Sequence, residues 1–277
     1  MLVKETSERS KSSNLVEHKI KNFNELIQIE FEGLSTKNGE ITCFLDRGLT
    51  HLNISDFLKG DPIQEICINE PFLSLKKQLA IETKVPWLFV VYSYHDNKCV
   101  VYDLSNDFKI VNIFTSFAAF GNWFSYNYTD NTKFFSSYQE TGLPEFDAIL
   151  RKNGTPWAGN VDGILFFANN EKKIAIIEYQ NTSKTSVKEH ENNNYLKASI
   201  FRKGDNKRWK VHHSLAEHTG IKVLVIVWSK NETVVGLKPV KSFDIGSDGY
   251  VSHINWGECL YIDLNELTPV ILLSAIF

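Results

Sequence analysis

Asp162 and Glu178 stand on two apolar runs that flank a polar turn. Residues 161–167 read Val-Asp-Gly-Ile-Leu-Phe-Phe, residues 168–172 Ala-Asn-Asn-Glu-Lys, and residues 173–180 Lys-Ile-Ala-Ile-Ile-Glu-Tyr-Gln. Two apolar runs around Asn-Asn predict a β-hairpin. Antiparallel partners keep a constant index sum. A three-residue loop, 169–171, pairs Ala168 with Lys172 and fixes that sum at 340. Asp162 then lies opposite Glu178, and Gln180 shares their face. A two-residue loop would turn Glu178 away, so the pairing needs an odd loop. The second strand is apolar on both faces, as a central strand is. Ile174 and Ile176 are expected on the Glu178 face, with Ala175, Ile177 and Tyr179 on the other. Two carboxylates about 5 Å apart repel, and one pKa rises unless a cation sits between them. Mg²⁺, with Mn²⁺ as an alternative, suits such hard oxygen donors. There it could clamp a phosphate and activate water.

An Asp followed by Glu-x-Lys on a central strand is the pattern of the PD-(D/E)XK, or restriction-endonuclease-like, nuclease superfamily. Asp162 and Glu178-Tyr179-Gln180 resemble it, with Gln180 where the family carries Lys. The resemblance covers about a third of the chain, residues 144–237. It implies a core of one helix, a three-stranded meander, a second helix and a further strand. It implies that Asp162, Glu178 and the Tyr179 carbonyl bind Mg²⁺, and that Gln180 orients the attacking water. Residues 144–152 are expected to form the first helix, with Glu145 as its acid. Residues 223–229 fit the last strand. Val161 stands where the family has Pro, and no strand is evident between residue 152 and Val161. Neutral Gln180 cannot stabilise charge as a Lys would, so the alternative is a catalytically inactive domain that binds DNA or protein.

The surrounding chain bounds these readings. Its 277 residues carry 43% apolar residues, enough for a core, and a formal net charge of -3, which argues against a generic polyanion binder. Between residues 184 and 210, however, eight basic residues face three acidic ones. Lys184, Lys188, Arg202, Lys203, Arg208 and Lys210 are the candidate phosphate contacts, with Lys184 or Lys188 a stand-in for the missing lysine. Taken alone, such a run is more often a solvated face. Cys43, Cys67, Cys99 and Cys259 form no C-x-x-C. His190-Glu191 lacks the second histidine of a zincin, and no phosphate-binding loop or nucleophile elbow occurs. No apolar run approaches a membrane span. A cytoplasmic protein is expected, with nucleic acid, DNA foremost, as partner, a homodimer as the assembly considered, and no membrane.

The expected fold is α/β: a restriction-endonuclease-like core, a mixed central sheet flanked by helices, at residues 136–277. Residues 20–135 form an α+β region and residues 1–19 a flexible leader. Within them, 20–32 reads as partly helical, 72–83 as a helix, and 87–94, 99–102 and 109–114 as strands. Residues 116–131 are left unassigned. Residues 181–201 and 209–219 read as helices, 233–237 and 260–264 as edge strands, and 270–277 as an apolar run of strand length.

Overall fold

The computed structural model describes residues 1–4, 15–38, 40–129, 144–155, 159–183, 185–190 and 206–277. The protein is mixed α/β, its strands mostly antiparallel and flanked by helices. It divides into two compact units, Met1–Ser13 with Phe31–Asn160, and Asn14–Glu30 with Val161–Phe277. The expected boundary near residue 136 is therefore not where the units part.

In the first unit, β1 (Leu2–Val3) pairs with β3 (Glu40–Thr50). The order is β2 (Leu26–Lys37), β3, β4 (Trp87–Ser93), β5 (Lys98–Asp103) and β6 (Lys109–Phe114). Only β3 and β4 run parallel among these. The helical reading of residues 20–32 fails beyond Lys21. Ile29 and Phe31 are buried while Glu30 and Glu32 are less so, an alternation of period two that makes a strand. Asn38, at φ 52°, turns the chain into β3. Short helices α2 (Ile54–Phe57) and α3 (Pro62–Asn69) precede α4 (Leu73–Thr83). The aromatic stretch left unassigned is α5 (Phe117–Tyr128), capped by Ser116, whose hydroxyl accepts the Ala119 N–H (3.1 Å). Its Phe117, Phe120 and Phe124 pack with Phe146 and Leu150 of α6 (Glu145–Lys152) over β3, β4 and β5.

A charged network is buried in this unit. Asp46 accepts from Lys76 Nζ (2.8 Å), Trp87 Nε1 (2.8 Å) and the Glu32 N–H (3.1 Å). Lys76 also holds Glu70 (2.6 Å), and Arg47 pairs with Glu32 (2.8 Å) and Asp147.

In the second unit, α1 (Leu15–Lys21) leads into residues 26–30 of β2, which neighbour β7 (Gly159–Phe167). The Ala168 N–H donates to the Glu25 carbonyl (2.9 Å), and Gln28 reaches the Asp162 carbonyl (3.1 Å), so these two strands run antiparallel. The order continues through β8 (Lys173–Asn181), β9 (Lys222–Trp228), β10 (Val234–Ile245) and β11 (Val251–Trp256). β12 (Leu260–Asp263) also pairs with β10. β7 and β8 are antiparallel and β8 and β9 parallel. A parallel pair needs a crossover, and α7 (Asn206–Thr219) lies in this one. One face of the sheet packs on Val16 and Ile20 of α1 and on Leu272 and Ile276 at the C-terminus. Residues 270–277, expected as strand-like, instead hold helix α8 (Pro269–Ser274). Thr268 caps it and Pro269 opens it, both signals of a helix start.

Candidate active site

The β7–β8 register places the two carboxylates. Gly163 pairs with Ile177, Ile164 with Ile176 and Leu165 with Ala175, all with the index sum of 340. The next pair along that row is Asp162 and Glu178. The turn that produces the row is not the three-residue loop expected. The register shifts between Leu165 and Phe166, which pairs with Lys173, and the Phe167 N–H donates to the Lys172 carbonyl (3.0 Å). Four residues, 168–171, form the loop, and Glu171 takes φ 56°. An even loop alone would reverse the faces. The extra residue, Ile174, is a β-bulge that restores them. Ile174 accordingly joins Ala175 and Ile177 in the apolar cluster, not Glu178 as the alternation predicts.

The back of this hairpin is tied to β2. Gln28 is buried; its Nε2 donates to the Asp162 carbonyl and its Oε1 accepts from the Tyr179 hydroxyl (2.8 Å). A Cβ on Gly163 would come within 2.8 Å of the Gln28 side chain, so glycine is what allows the amide to lie across the strand. Gln28 was not singled out from sequence.

On the front face, Glu178 is 1% exposed. Its Oε1 accepts from Arg208 Nη1 (2.8 Å) and its Oε2 is hydrogen-bonded to His212 Nε2 (2.9 Å). Arg208 and His212 are four residues apart on α7, hence on one helix face. That face carries buried Leu215 onto the sheet as well. Asp162 Oδ2 accepts the Tyr179 N–H (2.8 Å). Burial, then the charge of Glu178, push the Asp162 carboxyl well above the usual range, against the pull of that N–H and of Arg208. Burial would raise Glu178 too, but hydrogen bonds and charge from His212 and Arg208 outweigh it and hold Glu178 below the usual range. The pair thus divides its roles. Ionisation is favoured at Glu178 and disfavoured at Asp162.

Gln180, on the same face, is hydrogen-bonded through Oε1 to His190 Nε2 (2.9 Å). His190 is itself buried, and its carbonyl accepts from Lys238 Nζ. Lys238 shares a cross-strand row with Glu178, since both pair with Val225. Ser186 takes the Glu189 N–H (3.2 Å) over a turn rather than starting the helix expected there.

The other predicted residues differ in where they lie. Glu145 is exposed in the first turn of α6 and belongs to the first unit, whereas Asp162 and Glu178 belong to the second. Lys188 is exposed, and Lys210 lies over the Tyr250 ring (4.7 Å to its centroid). Lys184, Arg202 and Lys203 lie outside the described residues. Arg208, expected on phosphate, is instead on Glu178. His212 was missed altogether. The signal for it was the i, i+4 spacing with Arg208 on the helix that crosses from β8 to β9.

Among the described residues, no cluster of three or more His, Cys, Asp or Glu is arranged to hold a metal ion, and no helix is long and apolar enough to cross a membrane. No family model and no curated protein matches the chain. A solved structure, the crystal structure of a sex pheromone staph-cAM373 precursor, aligns over 86% of this chain and 79% of that one. The identity is 10% and the TM-score 0.21, too low to carry any argument.

Proposed function

We propose that the second unit is a restriction-endonuclease-like domain that hydrolyses nucleic-acid phosphodiester bonds with Mg²⁺ or Mn²⁺. The observation that carries this reading is the β7–β8 register, whose last pair, Gly163–Ile177, leaves Asp162 beside Glu178, with Gln180 two residues further along β8. The element order supports it: helix α1, the meander β2–β7–β8, helix α7, then β9 parallel to β8. The helix and first strand are thus α1 and the start of β2, in place of residues 144–152, and residues 31–160 are intercalated between the first two strands of the meander. α1 carries its own acid, Glu17, hydrogen-bonded to Lys21 (2.6 Å).

The donor set fits the ion. Mg²⁺ is commonly bound by one or two carboxylates, with waters and substrate phosphate completing the shell, and Asp162 and Glu178 supply two. When bound, it would polarise the scissile phosphate and lower the pKa of a water. To take the ion, Glu178 would have to loosen Arg208 or His212. Arg208, with 45% of its side chain exposed, is the partner with room to move. With Oε1 held by His190, the Gln180 amide offers N–H donors to a water or a phosphate oxygen.

A second reading has its own observation. Both oxygens of Glu178 already hold donors, as a centre locked for a purely binding role would. Nicking of supercoiled plasmid with and without Mg²⁺ or Mn²⁺ separates the two. We expect metal-dependent nicking that Glu178→Ala lowers by at least about 100-fold, with DNA binding retained. No cleavage of any DNA or RNA substrate would leave the binding-module reading. Undiminished cleavage by Glu178→Ala would remove this site from the chemistry.

A further inference from the structure

We propose that Arg208 is the cationic catalytic residue of this site, the group that meets the phosphate charge which neutral Gln180 cannot; the inference rests on the nuclease reading above. In the hydrolysis a water oxygen bonds to phosphorus while one ester P–O bond breaks. The electron pair of that bond stays on the departing oxygen, which takes a proton from solvent, and the attacking water sheds its proton to solvent. Negative charge gathers on the phosphate oxygens as the new bond forms. A positioned cation beside them lowers the barrier.

The described cations on this face can be compared directly. Lys238 is buried and donates to the His190 carbonyl. Lys210 is stacked on Tyr250. Lys188 is exposed, on the turn that follows β8. Arg208 alone of these four hydrogen-bonds Glu178, and it joins a side chain 1% exposed to one 45% exposed. One end of the guanidinium is anchored at the carboxylate while the side chain reaches solvent, where a nucleic-acid backbone would arrive. The planar fork of donors suits phosphate, and the charge does not titrate away at any working pH. His212 still holds the other Glu178 oxygen when Arg208 turns to the substrate.

The test uses the full chain and a fluorescein-labelled DNA duplex. Arg208→Gln removes the charge but keeps a donor for Glu178, and Arg208→Ala is its partner variant. Each is accepted as folded when its far-UV circular dichroism matches wild type and it melts in a single cooperative transition above the assay temperature. We expect Arg208→Gln to lower single-turnover cleavage about 100-fold. In metal-free buffer it should reduce the salt slope of duplex binding by about 0.9, one phosphate contact. Adding Gln180→Lys to Arg208→Gln should recover cleavage at least tenfold, since a cation then stands on the same face. Wild type that cleaves while Arg208→Gln matches it in rate and slope would overturn the inference and leave the nuclease reading standing. A rate loss with unchanged slope and no rescue by Gln180→Lys would also overturn it, reducing Arg208 to a support for Glu178. Wild type that neither cleaves nor binds would sink the nuclease reading and this inference together.

Discussion

The two units bury acidic side chains in different ways. In the first, Asp46 and Glu70 are 0% and 4% exposed, and the cation between them, Lys76, is 5% exposed. Arg47, beside Glu32 and Asp147, is equally enclosed. In the Asp46–Lys76–Glu70 group every charge is closed in with its partner, and Trp87 and a backbone N–H complete the coordination of Asp46, while Glu32 beside Arg47 also holds the half-exposed Lys4 (3.2 Å). In the second, Glu178 is as buried as any of these, yet one of its two partners opens to solvent. A network closed on all sides fixes a structure, because no member can leave without stranding another. A buried anion with one half-exposed partner can exchange that partner for a ligand. The contrast separates an ionic group that holds the fold from one suited to chemistry.

The largest expected effect tests the closed network. Lys76→Met should cost about 3–5 kcal/mol in urea or guanidinium denaturation, because Asp46 and Glu70 are left facing each other in the interior. Arg208→Ala should cost only about 1–2 kcal/mol, since His212 still holds Glu178. Equal losses for the two would erase the contrast.

The next effect depends on pH. Burial, and then the charge of Asp46, raise Glu70 from an ordinary 4.5 to about 7, although Lys76 pulls it down. Between those values the folded chain holds a proton that the unfolded chain has lost. Glu70 therefore makes stability fall as pH rises from about 4.5 to about 7, and its effect is flat above. The span is on the order of 3 kcal/mol. Glu70→Gln should abolish that part of the slope, so its stability relative to wild type should climb across the window. Parallel stability curves for the two proteins would show that Glu70 is ionised throughout.

The smallest effect belongs to Asp162. Its raised pKa has the same sign, so wild-type stability falls as pH rises from the ordinary Asp value toward the folded one. Asn copies the protonated acid. Asp162→Asn should stay within about 1 kcal/mol of wild type at pH values below the ordinary Asp range and gain on it as pH rises. A loss above about 2 kcal/mol would mean that Asp162 is needed as an anion.

How much of this was legible in sequence follows from the range of the interactions. Helix α4 and strands β4 to β9 could be read because local signals mark them: helical spacing from Leu75 to Ala80, Asn-Asn between two apolar runs, β-branched residues from Val223 to Val227. The row of Asp162 and Glu178 could be read because strand parity is arithmetic. What could not be read depends on distant partners. Arg208 and His212 reach Glu178 across 30 and 34 residues, and nothing near Glu178 in the chain announces them. Gln28 meets Tyr179 across 151 residues. The hairpin of β2 and β3 was lost to a short helical match at Phe23, Leu26 and Ile27. The alternation after Gln28 was the longer signal. Residues 144–152 could be read as a helix, but not that it falls in the first unit while Asp162 and Glu178 fall in the second; a long stretch separates Glu30 from Val161, and chain order does not show which unit a helix in between packs in.

The bulge at Ile174 gives the hairpin a tolerance to change in length. Loop 168–171 and the bulge are two ways of counting the same residue. If one loop residue is deleted, Phe167 can still pair with Lys172 across a three-residue turn, and the bulge still sets Asp162 opposite Glu178. Deletion of Ile174 alone removes the bulged residue, sets the pair Leu165–Ala175 directly beside Phe166–Lys173, and should leave Glu178 opposite Asp162. The segment thus behaves like a slack link: a residue lost from the turn or from the bulge is taken up there and does not reach the two carboxylates.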